Sequence, residues 1–271
     1  PYMVKKETRE RVLKAMEECD YSYNALAGAL SSQKTRTLGL IIPTITNPIF
    51  SVSTRGVQDM AATMGFSVLV GNTDYNDASE ESFIGLFQSK QVDGIILTGA
   101  RIKDRILRFF RQKNIPFVIT WSTHPDPDID CVSFDNCKSA YKAVDYLINL
   151  GHKRIAMIAG RFKISDRAQL RWAGYKKSLG DAGIRYREDY VIQCNYTPAE
   201  GMAAMHRFLR MKDRPTAVFC GNDILAIGAM RAVRESGLKV PDDVSICGFD
   251  DMDVSAYIEP ALTTVRVPAY K

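Results

Sequence analysis

Short apolar runs along this chain alternate with longer segments whose apolar residues recur every three or four positions. The short runs predict buried strands, and the longer spacing predicts helices with one buried face. In the first half of the chain, strands are predicted at 38–43, 66–71, 93–98, 117–120 and 131–134, and helices at 50–64, 78–88 and 102–112. This strict alternation predicts an α/β fold with a parallel, doubly wound sheet.

The same alternation starts again after residue 135 and predicts a second sheet of the same kind. Helices are predicted at 136–150, 166–179, 198–209 and between Gly221 and Gly237, and strands at 154–159, 190–193, 218–220 and 244–248. Ahead of both sheets lie an amphipathic helix at 6–19 and a polar linker at 31–37. The sequence therefore predicts two doubly wound lobes that follow a helical N-terminal segment.

Two polar side chains, Asn222 and Asp250, come at the ends of strands 218–220 and 244–248. The carboxyl ends of parallel strands face the ligand crevice of such a sheet, so both residues are expected at the rim of one cleft. Asn and Asp also cap helices and form turns for purely local reasons. A capping or turn role therefore stays open beside a binding role, and the same holds for Asp223.

The composition is that of an ordinary globular protein of 271 residues, with 46% hydrophobic residues, 25% charged residues and a net charge of +5. This length is sufficient for two lobes. The net charge is compatible with a nucleic-acid partner but is not evidence for one. No apolar run approaches the ~18 residues that cross a bilayer. Residues 1–12 lack the apolar core of a secretory signal. We therefore expect a cytoplasmic protein with no membrane partner.

Neither a metal nor another cofactor is expected. The six cysteines show no paired spacing, and the three histidines are scattered, with none at metal-ligand spacing from a cysteine or carboxylate. Cysteines in apolar runs behave as small hydrophobes, which favours a reducing cytoplasm over a disulfide framework. No phosphate-binding glycine loop follows a strand, and no nucleophile–base pair is apparent, so an enzyme is not expected.

Five motifs occur along the chain: LGHKRIAMIAG at 150–160, DRAQLRWAGY at 166–175, GNDILAIGAM at 221–230, VPDDVSICGFDD at 240–251 and PALTTV at 260–265. Together they resemble the effector-binding core of the lactose-repressor family of bacterial transcription regulators. The resemblance implies a periplasmic-binding-protein-like architecture, in which two lobes hold a ligand between them. The TW dipeptide at 120–121, together with DRAQLRW, resembles the gluconate-responsive branch.

The resemblance also implies a division of the chain. Residues 1–22 would be a remnant of a helix-turn-helix domain, and 23–36 a hinge helix and linker. Residues 37–135 with 264–271 would form the N-terminal lobe, and 136–263 the C-terminal lobe. On this resemblance the chain is expected to be truncated at both ends, because the first two helices of the DNA-reading domain and the last elements of both lobes have no counterpart.

The segment KKETRERVLKAMEECDYSYNALAGAL at 5–30 resembles the part of the family that joins the DNA-reading domain to the core. The resemblance implies DNA contacts for Tyr21, Asn24, Ala27 and Leu30, with Leu30 as an apolar wedge in the minor groove of operator DNA. A helix of about seven residues does not persist alone in water, so it is expected to fold only with a partner. The family arrangement implies a homodimer, with helix 50–64 as a dimer surface.

The resemblance implies a ligand site between the lobes. Its expected members are Ile49, Phe50, Trp121, Arg167, Arg171, Tyr196, Asn222 and Asp250. Arg171 matches an arginine that grips the effector, and a guanidinium suits a carboxylate or paired hydroxyls. For Arg167 a solvated surface role stays open, and for Ile49, Phe50 and Trp121 a role in the core stays open.

The leading hypothesis is a transcription regulator, a repressor, whose core binds a sugar or sugar acid and alters operator affinity through the hinge helices. The alternative is a solute-binding receptor of the same fold for sugar uptake or sensing. That alternative predicts a signal peptide and the absence of a hinge-like segment. The sequence favours the opposite on both points, because residues 1–12 lack the apolar core of a signal and residues 23–36 resemble a hinge and linker. An effector panel and a gel shift of the full-length protein separate these classes.

Overall fold

The computed structural model describes residues 4–20, 34–99 and 102–271, and the predicted DNA-contacting residues at 21–30 lie outside the described residues. Nine strands are described: β1 Thr37–Ile42, β2 Ser67–Asn72, β3 Gly94–Thr98, β4 Phe117–Thr120, β5 Cys131–Val132, β6 Ile155–Gly160, β7 Val191–Cys194, β8 Ala217–Cys220 and β9 Ser245–Cys247. Eight α-helices are described: α1 Lys6–Glu18, α2 Pro48–Thr63, α3 Asp77–Ser89, α4 Asp104–Gln112, α5 Asn136–Asn149, α6 Asp166–Asp181, α7 Pro198–Leu209 and α8 Asp223–Glu235.

The strands form two parallel sheets, which confirms the predicted fold class. The first sheet has the order β2-β1-β3-β4-β5 and is the centre of the first lobe. The second has the order β7-β6-β8-β9 and is the centre of the second lobe. All pairings within both sheets are parallel, and a helix connects successive strands of each sheet except β4 and β5. The domain boundaries in the sequence analysis stay a prediction.

Central strands are apolar on both faces because helices cover both faces of a parallel sheet. Every residue of β6 and of β8 is buried. At the edge of the first sheet, β2 alternates between exposed and half-buried positions over most of its length. The apolar core under α5 and α6 continues into the first lobe, because Phe50 and Trp121 belong to the same buried cluster as β6 and β8 residues.

Two strand predictions were too long. The predicted strand at 131–134 ends at Val132, because Phe134 leaves the sheet to pack on the rings of Trp121 and Phe249. The predicted strand at 244–248 covers Ser245–Cys247. Both differences lie where the chain runs between the lobes or into the cleft.

The N-terminal helix is present where its periodicity predicts it. Within the described part of the chain, α1 buries no residue, and its apolar residues Val12 and Leu13 are each 53% exposed. None of the described helices is both long and apolar enough to cross a bilayer.

Candidate functional site

Ten side chains from both lobes converge on a cleft at the carboxyl ends of the two sheets. They are Asn47, Ile49, Phe50, Tyr75, Trp121, Arg167, Arg171, Tyr196, Asn222 and Asp250. All eight residues expected from the sequence are among them. Parallel strands bring the loops after β1, β2, β4, β6, β7, β8 and β9 to the facing edges of the lobes, which explains why residues so distant in sequence meet.

Arg171, on α6, lies at the floor of this cleft and is 5% exposed. Its Nε donates to Oδ1 of Asn136 at 3.0 Å, and its Nη1 donates to the backbone oxygen of Gly221 at 2.5 Å. The guanidinium carbon lies 3.6 Å from the centroid of the Phe249 ring. Burial lowers the pKa of Arg171 against the opposing effect of Asp250. The guanidinium of Arg171 is therefore held firmly in place, but its positive charge is only partly balanced by Asp250.

Asp250 faces Arg171 across the cleft and is 3% exposed. Its Oδ1 lies 3.7 Å from Nη2 of Arg171, which is beyond hydrogen-bond distance. Burial raises the pKa of Asp250 to about 7, because desolvation outweighs the attraction of Arg171. Its backbone has a φ of 120°, a conformation that L-residues rarely adopt and that is typical of functional sites.

Asn222 has the capping role that the sequence left open, and it also lines the cleft. Its Oδ1 accepts a hydrogen bond from Leu225 N at 3.0 Å and so caps α8. Its Nδ2 is buried and has no hydrogen-bond partner among the described residues. A buried amide without a partner costs free energy, so this donor faces the cleft ready for an acceptor.

Asp223, by contrast, is structural. Its carboxylate accepts hydrogen bonds from Met252 N, from Ser255 Oγ and from Thr264 Oγ1, at 2.8, 2.7 and 2.5 Å. These contacts hold the segment that follows β9 and the segment that runs towards the first lobe. Asp223 therefore fixes the position of Asp250 without lining the cleft itself.

Arg167 does not lie on the solvated surface, the role that the sequence had left open. It is 6% exposed, and its guanidinium crosses from the second lobe to the first. The guanidinium carbon lies 5.6 Å from the centroid of the Phe50 ring, and the positive charge of Arg167 opposes the rise that burial causes in the pKa of Tyr75. Gly99 has a φ of 99° and leaves no room for a Cβ beside Nη1 of Arg167. Arg167 thus joins the two lobes across the cleft.

Aromatic rings form the walls of the cleft. Trp121 packs edge-on against Phe50, with ring centroids 5.3 Å apart, and its φ of 71° is unusual for a bulky residue. The rings of Tyr75 and Tyr196 lie 6.1 Å apart. Burial raises the pKa of both tyrosines, so their hydroxyls stay protonated. Gly160 provides the space over which the Tyr196 ring lies.

The remaining space between these side chains has a volume of about 20 Å³. That is room for one or two water molecules, whereas pockets for small metabolites measure roughly 300–1,000 Å³. A metabolite can therefore enter only if the lobes or the lining side chains move apart.

Two members of the cleft were missed by the sequence analysis. Asn47 follows β1, and its Oδ1 accepts a hydrogen bond from Ile49 N at 3.2 Å, which caps α2. Tyr75 follows β2 and has a φ of 59°. Both follow strands of a predicted parallel sheet, and that position was the signal by which they could have been found.

The side chains that line the cleft are mostly polar or aromatic. No group of three or more His, Cys, Asp or Glu residues in the described ranges is arranged to hold a metal ion. The buried thiols of the second sheet are poor nucleophiles, because burial raises the pKa of Cys194 and of Cys247 to about 12. Two guanidinium groups, a carboxylate, two amides and four aromatic rings line the cleft and suit a small molecule with several polar groups.

The family model described as "Periplasmic binding proteins and sugar binding domain of LacI family" matches residues 35–269. Catabolite control protein A from Priestia megaterium is 34% identical over 267 residues, which are 98% of this chain and 80% of that protein. The HTH-type transcriptional repressor CytR from Escherichia coli strain K12 is 36% identical over 273 residues, which are 100% of this chain and 79% of that protein.

Solved structures of transcription regulators also superpose on this chain. The transcription regulator GntR from Chromobacterium violaceum superposes with a TM-score of 0.81 at 26% identity, over 86% of each chain. A complex of the transcriptional regulator CelR with cellobiose superposes with a TM-score of 0.78 at 28% identity. That match covers 99% of this chain and 81% of the other.

Proposed function

Because the chain belongs to the LacI family of transcriptional regulators, we propose that its cleft binds a small polar effector through Arg171, Asn222 and Asp250. Its relatives include repressors with an effector-binding core of this kind, and the fold of this chain is that core. The regulator hypothesis is therefore favoured over the solute-receptor alternative.

The observation that carries the proposal is the set of unsatisfied groups in the cleft. Asn222 Nδ2 has no acceptor within the described residues, and Arg171 Nη2 lies 3.7 Å from Oδ1 of Asp250. An effector with hydroxyl or carboxylate groups supplies acceptors for both nitrogens and a donor for Asp250. Each satisfied group lowers the free energy of the bound state, because leaving it buried and unbonded is costly.

We propose a sugar or a sugar acid as the effector. Nη2 of Arg171 can donate to a carboxylate or hydroxyl oxygen of the effector. The faces of Trp121 and Tyr196 suit the apolar face of a sugar ring. CelR, one of the similar structures, is a complex with a sugar, cellobiose. The structure of GntR, whose sequence is 26% identical to this chain, is the comparison that points to the gluconate-responsive branch. Phe50 and Ile49 complete the proposed site from the first lobe, and Arg167 completes it from the second.

We also propose how the effector alters DNA binding. Residues 23–36 would form the hinge, in which Tyr21, Asn24, Ala27 and Leu30 lie on or beside the operator, and the protein would act as a cytoplasmic homodimer. Movement of the lobes around the effector would change the spacing of the paired hinges. Such coupling between two sites is typically about 1–3 kcal/mol. A gel shift of the full-length protein with its own upstream DNA, with and without effector, tests this step.

Calorimetry tests the effector site, with D-gluconate, D-glucose and D-cellobiose as probes. For the probe that binds best, Arg171→Ala is expected to weaken binding at least tenfold, because a hydrogen bond to a charged group is lost. Asn222→Asp is expected to weaken it too, since it keeps the Oδ1 cap of α8 but removes the Nδ2 donor.

The matched control is Arg231→Ala, because Arg231 is an exposed arginine of the same lobe whose ion-pair partner is Glu235. It should bind the probes as the wild type does. Unchanged affinity in both Arg171→Ala and Asn222→Asp would show that these two residues do not bind the effector.

A further inference from the structure

Asn136 is a fully buried amide at the start of α5, directly beneath the cleft, with an exposure of 1%. Its Oδ1 accepts the hydrogen bond from Nε of Arg171 at 3.0 Å. Its Nδ2 donates to the backbone oxygen of Trp121 at 3.1 Å. Because one end of the amide is an acceptor and the other a donor, the two bonds together define which way the side chain points.

These bonds decide which part of Arg171 is available to an effector. Nε is held by Asn136, Nη1 is held by the backbone oxygen of Gly221, and the ring of Phe249 supports the guanidinium from one side. Nη2 is left 3.7 Å from Asp250, too far for a hydrogen bond. The guanidinium plane is thus fixed with a single nitrogen directed at the cleft.

Asn136 also lies at the connection between the lobes. Residues 133–135 lead from β5 of the first lobe into α5 of the second, and Asn136 is the first residue of that helix. Trp121 follows the neighbouring strand β4, and its indole packs against Phe50 and Phe134. One side chain therefore bonds a backbone group of the first lobe and a guanidinium of the second.

We infer that Asn136 is a positioning residue, which fixes Arg171 for effector binding and ties its orientation to Trp121 at the junction of the lobes. Any shift of the Trp121 backbone moves the amide, and the amide moves Nε of Arg171. This inference rests on the proposed function only in its last step, that Arg171 contacts the effector. The coupling itself is a property of the chain and can be measured without a ligand.

The test uses the whole chain with Trp172→Phe, which leaves Trp121 as its one tryptophan. Asn136→Leu removes both hydrogen bonds, whereas Asn136→Asp keeps the acceptor for Arg171 and loses the donor to Trp121. Asn149→Leu, on the same helix, is the matched control, because Asn149 is exposed and bonds Asp145.

Two spectroscopic signals report the two bonds separately. We expect Asn136→Leu to speed hydrogen exchange at Nε of Arg171 about tenfold to a hundredfold, because a hydrogen bond from a charged group is lost. Asn136→Asp should leave that exchange slow. Both substitutions should shift the emission of Trp121, and Asn149→Leu should change neither signal. Unchanged exchange in Asn136→Leu overturns the inference, and so does unchanged Trp121 emission in both Asn136 variants.

Binding of D-gluconate and D-cellobiose adds the functional step. For whichever probe binds the wild type, Asn136→Leu should weaken binding about tenfold. In an Arg171→Lys background, which lacks Nε, the same substitution should weaken it less than about twofold, because the two residues act as one unit. Additive effects would mean that Asn136 does not act through Arg171. If neither probe binds, the proposed sugar-type effector fails, while the exchange measurement still decides the role of Asn136.

Discussion

At the scale of single residues, the cleft combines groups whose charges the fold does not fully compensate. Asp250 lies buried opposite Arg171, with its Oδ1 at 3.7 Å from Nη2 of that arginine. Desolvation of a carboxylate favours its protonated form, which raises its pKa to about 7. Hydrogen bonds from three donors offset part of this cost at Asp223, although burial still raises its pKa. Asp250 instead keeps its oxygens for the cleft.

This burial predicts a pH dependence of stability. The pKa of Asp250 is about 7 in the folded state and about 4 in the unfolded state, so the folded protein binds more protons between these values. The free energy of unfolding must then fall as the pH rises through this window. We expect the wild type to lose roughly 2–4 kcal/mol more than Asp250→Asn between about pH 4.5 and pH 8.

Urea unfolding of both proteins across this pH range provides the measurement. Glu80, whose pKa burial also raises to about 7, titrates in both proteins and cancels in the comparison. Parallel stability curves for the two proteins would show that Asp250 is ionised throughout, and would contradict the prediction.

At the scale of elements, close helix pairs hold the second lobe together, and small residues allow that approach. A Cβ on Gly228 of α8 would meet the backbone oxygen of Pro198, and one on Gly201 of α7 would meet that of Leu225. Gly174 of α6 faces the backbone of Cys137 of α5 in the same way. Because backbone atoms cannot move aside as the end of a side chain can, these glycines set the distance between the helices.

Gly228→Ala is therefore expected to lower the free energy of unfolding by about 1–3 kcal/mol, the usual cost of overpacking. Gly180 in α6 is the matched control, because a Cβ added there would meet no described atom within 4 Å. Gly180→Ala should raise stability by about 0.5–1 kcal/mol, since alanine favours a helix more than glycine does. Chemical unfolding measures both. Equal effects of the two substitutions would refute the packing argument.

At the scale of the whole molecule, side chains around the cleft join the two lobes. Arg167 is the clearest of these, because a second-lobe guanidinium lies against Phe50, Tyr75 and Gly99 of the first lobe. The space left inside is about 20 Å³, so effector entry requires a more open arrangement. The cost of that opening reduces the apparent affinity for any effector.

Arg167→Ala is expected to raise the ratio of open to closed molecules about tenfold, because the cation–π contact with Phe50 and the packing against Gly99 are lost across the lobes. Acrylamide quenching of Trp121 in a Trp172→Phe background measures this, since Trp121 is buried between the lobes. We expect the quenching to increase severalfold in Arg167→Ala and to stay unchanged in Arg231→Ala. Equal quenching in all three proteins would mean that Arg167 does not hold the lobes together.

The sequence by itself determined the secondary structure and the fold class. Apolar periodicity is a local property, so it predicted the order of strands and helices, with errors of a few residues at places such as 131–134. Strand ends are local as well, and the position of Asn222 and Asp250 after parallel strands was enough to predict that they share a cleft. The resemblance in five motifs added Arg171, Tyr196 and the family itself.

Only the tertiary structure decided what each cleft residue contacts. Whether Arg167 is solvated or crosses to the first lobe depends on how the two lobes meet, and no local pattern encodes that. The same reason explains why Asn136, Asn47 and Tyr75 were missed: an amide at a helix start looks like any other until Arg171 and Trp121 are placed beside it. Burial, which shifts the pKa of Asp250 and leaves Asn222 Nδ2 without a partner among the described residues, likewise arises only when distant segments exclude water together.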